Sequence, residues 1–214
     1  MFQKNKFYFS QRSFLWACVA SAIFLIVSLV VNFYAGMYAT EIASNSVSDI
    51  ILSNTPVFNV DGIFTYGPLL LWAFIVYICV EEPKRIPFIL KSVALFTIIR
   101  SVFITLTHLG PFPRIIAYDP NVFFLRNFTF GADLFFSGHV GVPFLLALIF
   151  WDDKKLRYIF IVSSIIFSLI VLLGHLHYSI DVLSAFFITY TIFHMAQKLF
   201  PRDYHLFANG LQNE

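Results

Sequence analysis

The chain has 214 residues, 59% of them hydrophobic and only 12% charged, with 28 Phe and a formal net charge of +2. So few polar residues exclude an ordinary soluble domain of this length, which needs far more to cover its surface. The basic residues form short clusters beside long apolar blocks, a pattern that points to membrane rather than nucleic acid.

A hydrocarbon core about 30 Å thick takes roughly 20 apolar residues to cross as a helix. On that count the sequence predicts an all-α membrane protein of six transmembrane helices, at about 14–38, 62–80, 87–109, 137–151, 158–174 and 179–199. The first block follows a basic N-terminus. It is too long for a signal-peptide core and shows no small-residue cleavage site, so it reads as an anchor. The fourth is short and can extend back through Leu134, Phe135 and Phe136. Connecting segments fall at 39–61, 81–86, 110–136, 152–157 and 175–178. No repeat or low-complexity linker divides the chain, so residues 1–214 read as a single integral-membrane domain. Cys18 and Cys79 lie in separate apolar blocks, without disulfide or metal spacing, and read as small buried hydrophobes.

Charge sets the orientation. Lys4, Lys6, Arg12, Lys84, Arg85, Lys91, Lys154, Lys155, Arg157, Lys198 and Arg202 all fall on one side of a six-span arrangement. Only Arg100, Arg114 and Arg126 remain for the other side. Positive loops stay cytoplasmic, so both termini are expected there, with 39–61, 110–136 and 175–178 facing periplasm, exterior or lumen.

Two outward segments concentrate groups that a membrane protein normally avoids: Gly131–His139 and His175–Val182. Asp181 sits just inside the sixth span, where an ionised carboxylate needs a partner. His177 precedes it by four residues, so on a helix both side chains share one face. A carboxylate on one imidazole nitrogen leaves the other nitrogen able to attack. His139 follows Ser137-Gly138 at the start of the fourth span, where free backbone N–H groups can hold phosphate. A second histidine can protonate a departing alcohol. Arg100, about nine residues inside the outer end of the third span, can reach phosphate or pair with Asp181 or Asp133. Thr107 is expected on its helical face. Asp133 can cap the fourth helix or orient His139. Arg114 and Arg126 are outer-loop candidates for phosphate. His175 aligns less well with Asp181 than His177 does, His194 and His205 read as interfacial, and Asn127-Phe128-Thr129 fits a glycosylation acceptor. No cofactor or metal-ligand set stands out.

Asp133-Leu-Phe-Phe-Ser-Gly-His139 and His177-Tyr-Ser-Ile-Asp181-Val resemble two segments of the sphingomyelin synthase family, within the type-2 phosphatidic acid phosphatase superfamily. Arg100 with Thr107-His108-Leu109 resembles a third, so the likeness runs over about residues 14–199. It implies a six-helix bundle and a His139–His177–Asp181 triad. It also implies a phospholipid donor, phosphatidylcholine or phosphatidylethanolamine, and a lipid-alcohol acceptor such as ceramide. The chain departs from the family at Gly131-Ala132 (Cys-Gly there), Val140 (Thr) and Gly110 (Pro). The superfamily's lipid phosphatases carry a basic first motif and a Ser-Arg pair where this chain has Ile170 and Val171. That favours head-group transfer over a phosphatase or phospholipase-C-like hydrolase. A non-catalytic lipid-binding protein is the third reading.

Overall fold

The computed structural model describes residues 2–113 and 133–211. Among them the regular structure is entirely helical. In chain order it comprises α1 (Phe2–Ser10), α2 (Arg12–Glu41), α3 (Asp61–Glu81), α4 (Ile86–Leu106), α5 (Gly138–Ile149), α6 (Lys154–Leu173), α7 (Ser179–Leu199) and α8 (Pro201–Asn209), with 3-10 turns at Leu52–Asn54 and Pro83–Arg85. Among the described residues five segments are long and apolar enough to cross a membrane: α2, α3, Pro83–Leu106, α6 and α7. The fourth expected span, 137–151, is the exception. α5 has 12 residues, about 18 Å at 1.5 Å per residue, too short to cross alone.

Local chemistry explains where these helices begin and end. Pro87 occupies the first turn of α4, where a missing N–H costs nothing. The Asp153 carboxylate accepts the backbone N–H groups of Lys155 and Leu156 at the start of α6. Phe200 separates α7 from α8, whose first residue is Pro201. The third span stops at Leu106 instead of running to 109. Arg100 therefore stands six residues from the helix end, roughly 9 Å deep instead of 13 Å. Thr107 lies beyond the helix with extended backbone, so it does not share Arg100's helical face.

α4 is the most enclosed of the long helices, and it organises the bundle. It buries Phe88, Ile89, Ser92, Val93, Phe96, Arg100 and Ile104. Against it lies α2, whose buried residues Phe14, Ser21, Ser28 and Ala35 recur every seventh position. Small residues in that stripe let two backbones approach closely where lipid offers no hydrophobic drive. α5 packs on α6 and α7, with Gly141 facing the Phe96 ring and Thr189. Its C-terminal end is covered: the Arg85 guanidinium lies 5.2 Å from the Phe150 ring centre, and Phe207 of α8 meets the same ring edge-on at 5.4 Å. Cys18 and Cys79 are half-buried free thiols rather than fully buried ones.

On the opposite side the 42–60 segment is tied to three elements. Ser44 N–H donates to His108 C=O at 2.8 Å and Gly110 N–H to Asn45 C=O at 3.2 Å. Phe58 N–H donates to Leu173 C=O at 2.9 Å. The Tyr178 hydroxyl donates to Gly110 C=O at 2.8 Å and accepts Val47 N–H at 3.3 Å. Burial pushes the Tyr178 phenol up, as do the carboxylates of Asp181 and Asp49, while the Val47 N–H opposes them. The net upward shift keeps the phenol a neutral donor.

Candidate active site

The site forms where α5 and α7 begin side by side. Ser137, the residue before α5, donates its N–H to Asp181 C=O at 3.3 Å, which sets the two helix starts at the same level. α5 opens without a side-chain cap, so the first N–H groups of Gly138, His139 and Val140 have no side-chain acceptor from Ser137. Helix N-termini of this kind favour anions. The Ser137 hydroxyl is fully buried and has no hydrogen-bond partner among the described residues.

His177 lies two residues before α7, not on it. Its nearness to Asp181 comes from the turn into the helix: Nδ1 is 3.6 Å from Asp181 Oδ2, too far for a hydrogen bond. The bond that Nδ1 does make is to Leu134 C=O, at 2.9 Å. A carbonyl only accepts, so Nδ1 carries the proton and Nε2 keeps its lone pair. The tautomer expected from Asp181 is therefore supplied by a backbone carbonyl. Asp181 is fully buried. Its Oδ2 accepts Tyr178 N–H at 2.9 Å, closing the first turn of α7, and its Oδ1 has no partner among the described residues.

His139, the second residue of α5, is half-buried. Its ring stacks on Phe64 of α3 at 4.2 Å between centres and meets the edge of Phe167 of α6 at 6.1 Å. It lies within electrostatic range of His177 and Arg100. Among the described residues its ring nitrogens make no hydrogen bond.

Arg100 is buried, and each of its nitrogens already has an acceptor. Nε donates to Phe136 C=O at 3.1 Å, one terminal nitrogen to Asp133 Oδ2 at 3.1 Å and to Asp133 C=O, and the other to Asn32 Oδ1 at 3.4 Å. Of the partners considered for Arg100, the structure selects Asp133 and not Asp181. Asp133 consequently neither caps α5 nor touches His139. Gly138 packs beside the Arg100 side chain. His175 turns the other way: it has φ +55° and packs on the Phe112 ring at 5.3 Å. His194 and His205 are exposed on α7 and α8, away from this cluster. Arg114, Arg126, Asn127 and Gly131-Ala132 lie outside the described residues.

Asp49 was not visible as a site residue. Its Oδ2 accepts both the N–H and the hydroxyl of Ser179, at 2.7 and 2.8 Å. Its Oδ1 accepts Ile51 N–H and Leu52 N–H, at 2.8 and 3.1 Å. A carboxylate from the 42–60 segment thus occupies the N-terminus of α7, between His177 and Asp181 in sequence. The only advance signal is an acidic residue in a loop expected to face outward, which is far too common to single it out. Phe64 carried no signal at all among 28 phenylalanines.

Fold and site together define a helical, multi-pass membrane protein with two histidines and a buried carboxylate gathered at the paired starts of two helices. Residues 131–198 match the family described as PAP2 superfamily C-terminal, a match that supports the PAP2 superfamily and chemistry on lipid phosphate esters. It takes in His139, His177 and Asp181, while α1–α4 and Arg100 lie outside it. No curated protein and no solved structure matches the chain.

Proposed function

We propose that this protein is a phospholipid head-group transferase, moving phosphocholine or phosphoethanolamine from a glycerophospholipid to ceramide or a similar lipid alcohol. The observation that carries the reading is the Nδ1–H of His177 held on Leu134 C=O, which leaves Nε2 as a nucleophile beside His139. The donor's phosphodiester lies at the uncapped start of α5, against the N–H groups of Gly138 and His139. His177 Nε2 attacks phosphorus, the bond from phosphorus to the diacylglycerol oxygen breaks, and protonated His139 gives that oxygen its proton. The head group is then held as a phosphohistidine. The acceptor hydroxyl loses its proton to the now neutral His139 and attacks phosphorus, and the bond to Nε2 breaks. The buried Asp181 carboxylate stabilises the positive imidazole formed during attack.

Ile170 and Val171 favour transfer over phosphomonoester hydrolysis. They stand where lipid phosphatases carry a Ser-Arg pair, and both are buried and apolar. The dianionic end of a monoester would call for more cations than that apolar pair provides.

In the membrane the chain is read as one domain crossing six times, α5 included, with both termini cytoplasmic and the site outward. The eleven basic residues support this arrangement, as does the covering of the short inner end of α5 by Arg85 and Phe207.

The test is purified protein in vesicles of phosphatidylcholine and phosphatidylethanolamine, with and without ceramide. A new phosphosphingolipid, formed in step with diacylglycerol, is the expected result. Diacylglycerol release indifferent to ceramide, with no new phosphosphingolipid, gives the hydrolase reading instead.

A further inference from the structure

We propose that Arg100 and Asp133 are positioning residues that set the tautomer of the His177 imidazole through the carbonyl of Leu134, and that neither binds the substrate phosphate. The role assigned here rests on the reading of His177 as nucleophile. Arg100 grips both ends of a four-residue segment, taking the carbonyl of Asp133 at one end and that of Phe136 at the other. Leu134 lies between them, and its carbonyl receives the His177 Nδ1–H. Phe136 has φ +23°, a left-handed value that a bulky residue adopts only when its surroundings impose it. The Arg100 Nε bond to the carbonyl of that same residue supplies the constraint.

Asp181 does not decide the tautomer. Its Oδ2 is 3.6 Å from Nδ1 and already accepts Tyr178 N–H. If the 133–136 segment relaxes, Leu134 C=O leaves Nδ1, and the proton is free to settle on Nε2, where it blocks attack. Both N–H groups of one terminal nitrogen are engaged by Asp133, so a phosphate ligand on that edge of the guanidinium would have to displace Asp133.

The two roles predict opposite effects at Asp133. A phosphate-binding Arg100 would gain affinity when Asp133→Asn releases it, lowering KM. A positioning pair loses kcat in either variant. In full-length protein in vesicles with fluorescent phosphatidylcholine and ceramide, Arg100→Gln and Asp133→Asn should each lower kcat by about 10–100-fold with little change in KM. The double variant should be no worse than the poorer single one, because both act through one segment. A raised KM at near-normal kcat in Arg100→Gln, or a lowered KM in Asp133→Asn, overturns the proposal.

The tautomer itself is read by nitrogen NMR of protein labelled at histidine, with His177 assigned by its loss in His177→Gln. Wild type should show Nδ1 protonated, and Arg100→Gln should show a mixture. Nε2 protonation in wild type overturns the proposal without reliance on any variant folding. Absence of turnover on every lipid would refute the transferase reading, while this spectrum would still judge the positioning role.

Discussion

Asp49 and Ser179 stand 130 positions apart in the chain, yet both the backbone N–H and the hydroxyl of Ser179 donate to one Asp49 oxygen, at 2.7 and 2.8 Å. This contact fastens the 42–60 segment to the first residue of α7, two positions after His177. Burial alone would raise the Asp49 carboxyl, but hydrogen bonds from Ser179, Leu52 and Ile51 outweigh it and hold it below its ordinary value of 3.8. A depressed carboxyl contributes stability that is complete above its unfolded value and is lost as pH falls through the folded one. The attachment should therefore be constant from about pH 5 upward and weaken below about pH 4. Hydrogen exchange of residues 44–53 as a function of pH checks this. Asp49→Ala should cost about 2–3 kcal/mol and remove the dependence; an unchanged profile in that variant would assign the titration elsewhere.

His177→Ala should reduce head-group transfer by about 10³-fold or more, because it removes the proposed nucleophile. Membrane insertion and thermal unfolding should stay close to wild type, since among the described residues the His177 side chain forms one hydrogen bond and caps no helix. Acid-labile, base-stable phosphate should be trapped on wild type incubated with donor alone and be absent from the variant. Wild-type turnover in His177→Ala would remove this residue from the mechanism.

His139→Gln should lose about 10²–10⁴-fold with a natural phospholipid, whose departing alkoxide needs a proton. With p-nitrophenyl phosphocholine the leaving group is a stable phenolate. The first step should then recover most of its rate, seen as a burst of nitrophenol. Equal losses on both donors would mean that His139 does something other than protonate the leaving group.

Gly141 lies in a close helix contact beneath the site. A Cβ there would stand 2.5 Å from the Phe96 ring and 2.9 Å from the Thr189 hydroxyl. Gly141→Ala is expected to lower stability by about 1–3 kcal/mol through overpacking between α4, α5 and α7. Thermal unfolding in detergent is the measurement. At Gly138 the nearest atom would be Arg100 Nε at 3.6 Å, an ordinary contact, so Gly138→Ala should fold normally.

Hydropathy was enough to place the five long helices to within a few residues, because in a bilayer every backbone polar group must be satisfied within its own helix. The expected spans 62–80 and 179–199 became Asp61–Glu81 and Ser179–Leu199. The same solvent argument exposed His139, His177, Asp181 and Arg100, since ionisable groups among apolar residues need a reason to be there. What each of those groups touches was decided only in three dimensions. Arg100 had Asp181, Asp133 and phosphate within conceivable reach, and the 133–136 turn selected Asp133. The four-residue spacing of His177 and Asp181 implied a helical pair, but α7 begins two residues too late, so Leu134 C=O holds the imidazole instead. Asp49 and Phe64 reach the site from segments some 130 and 75 positions away from their partners. Such contacts follow from how helices and loops pack, which no periodicity along one segment records. The sequence by itself thus determined which residues had to be sheltered from lipid; the tertiary structure decided which atoms shelter them.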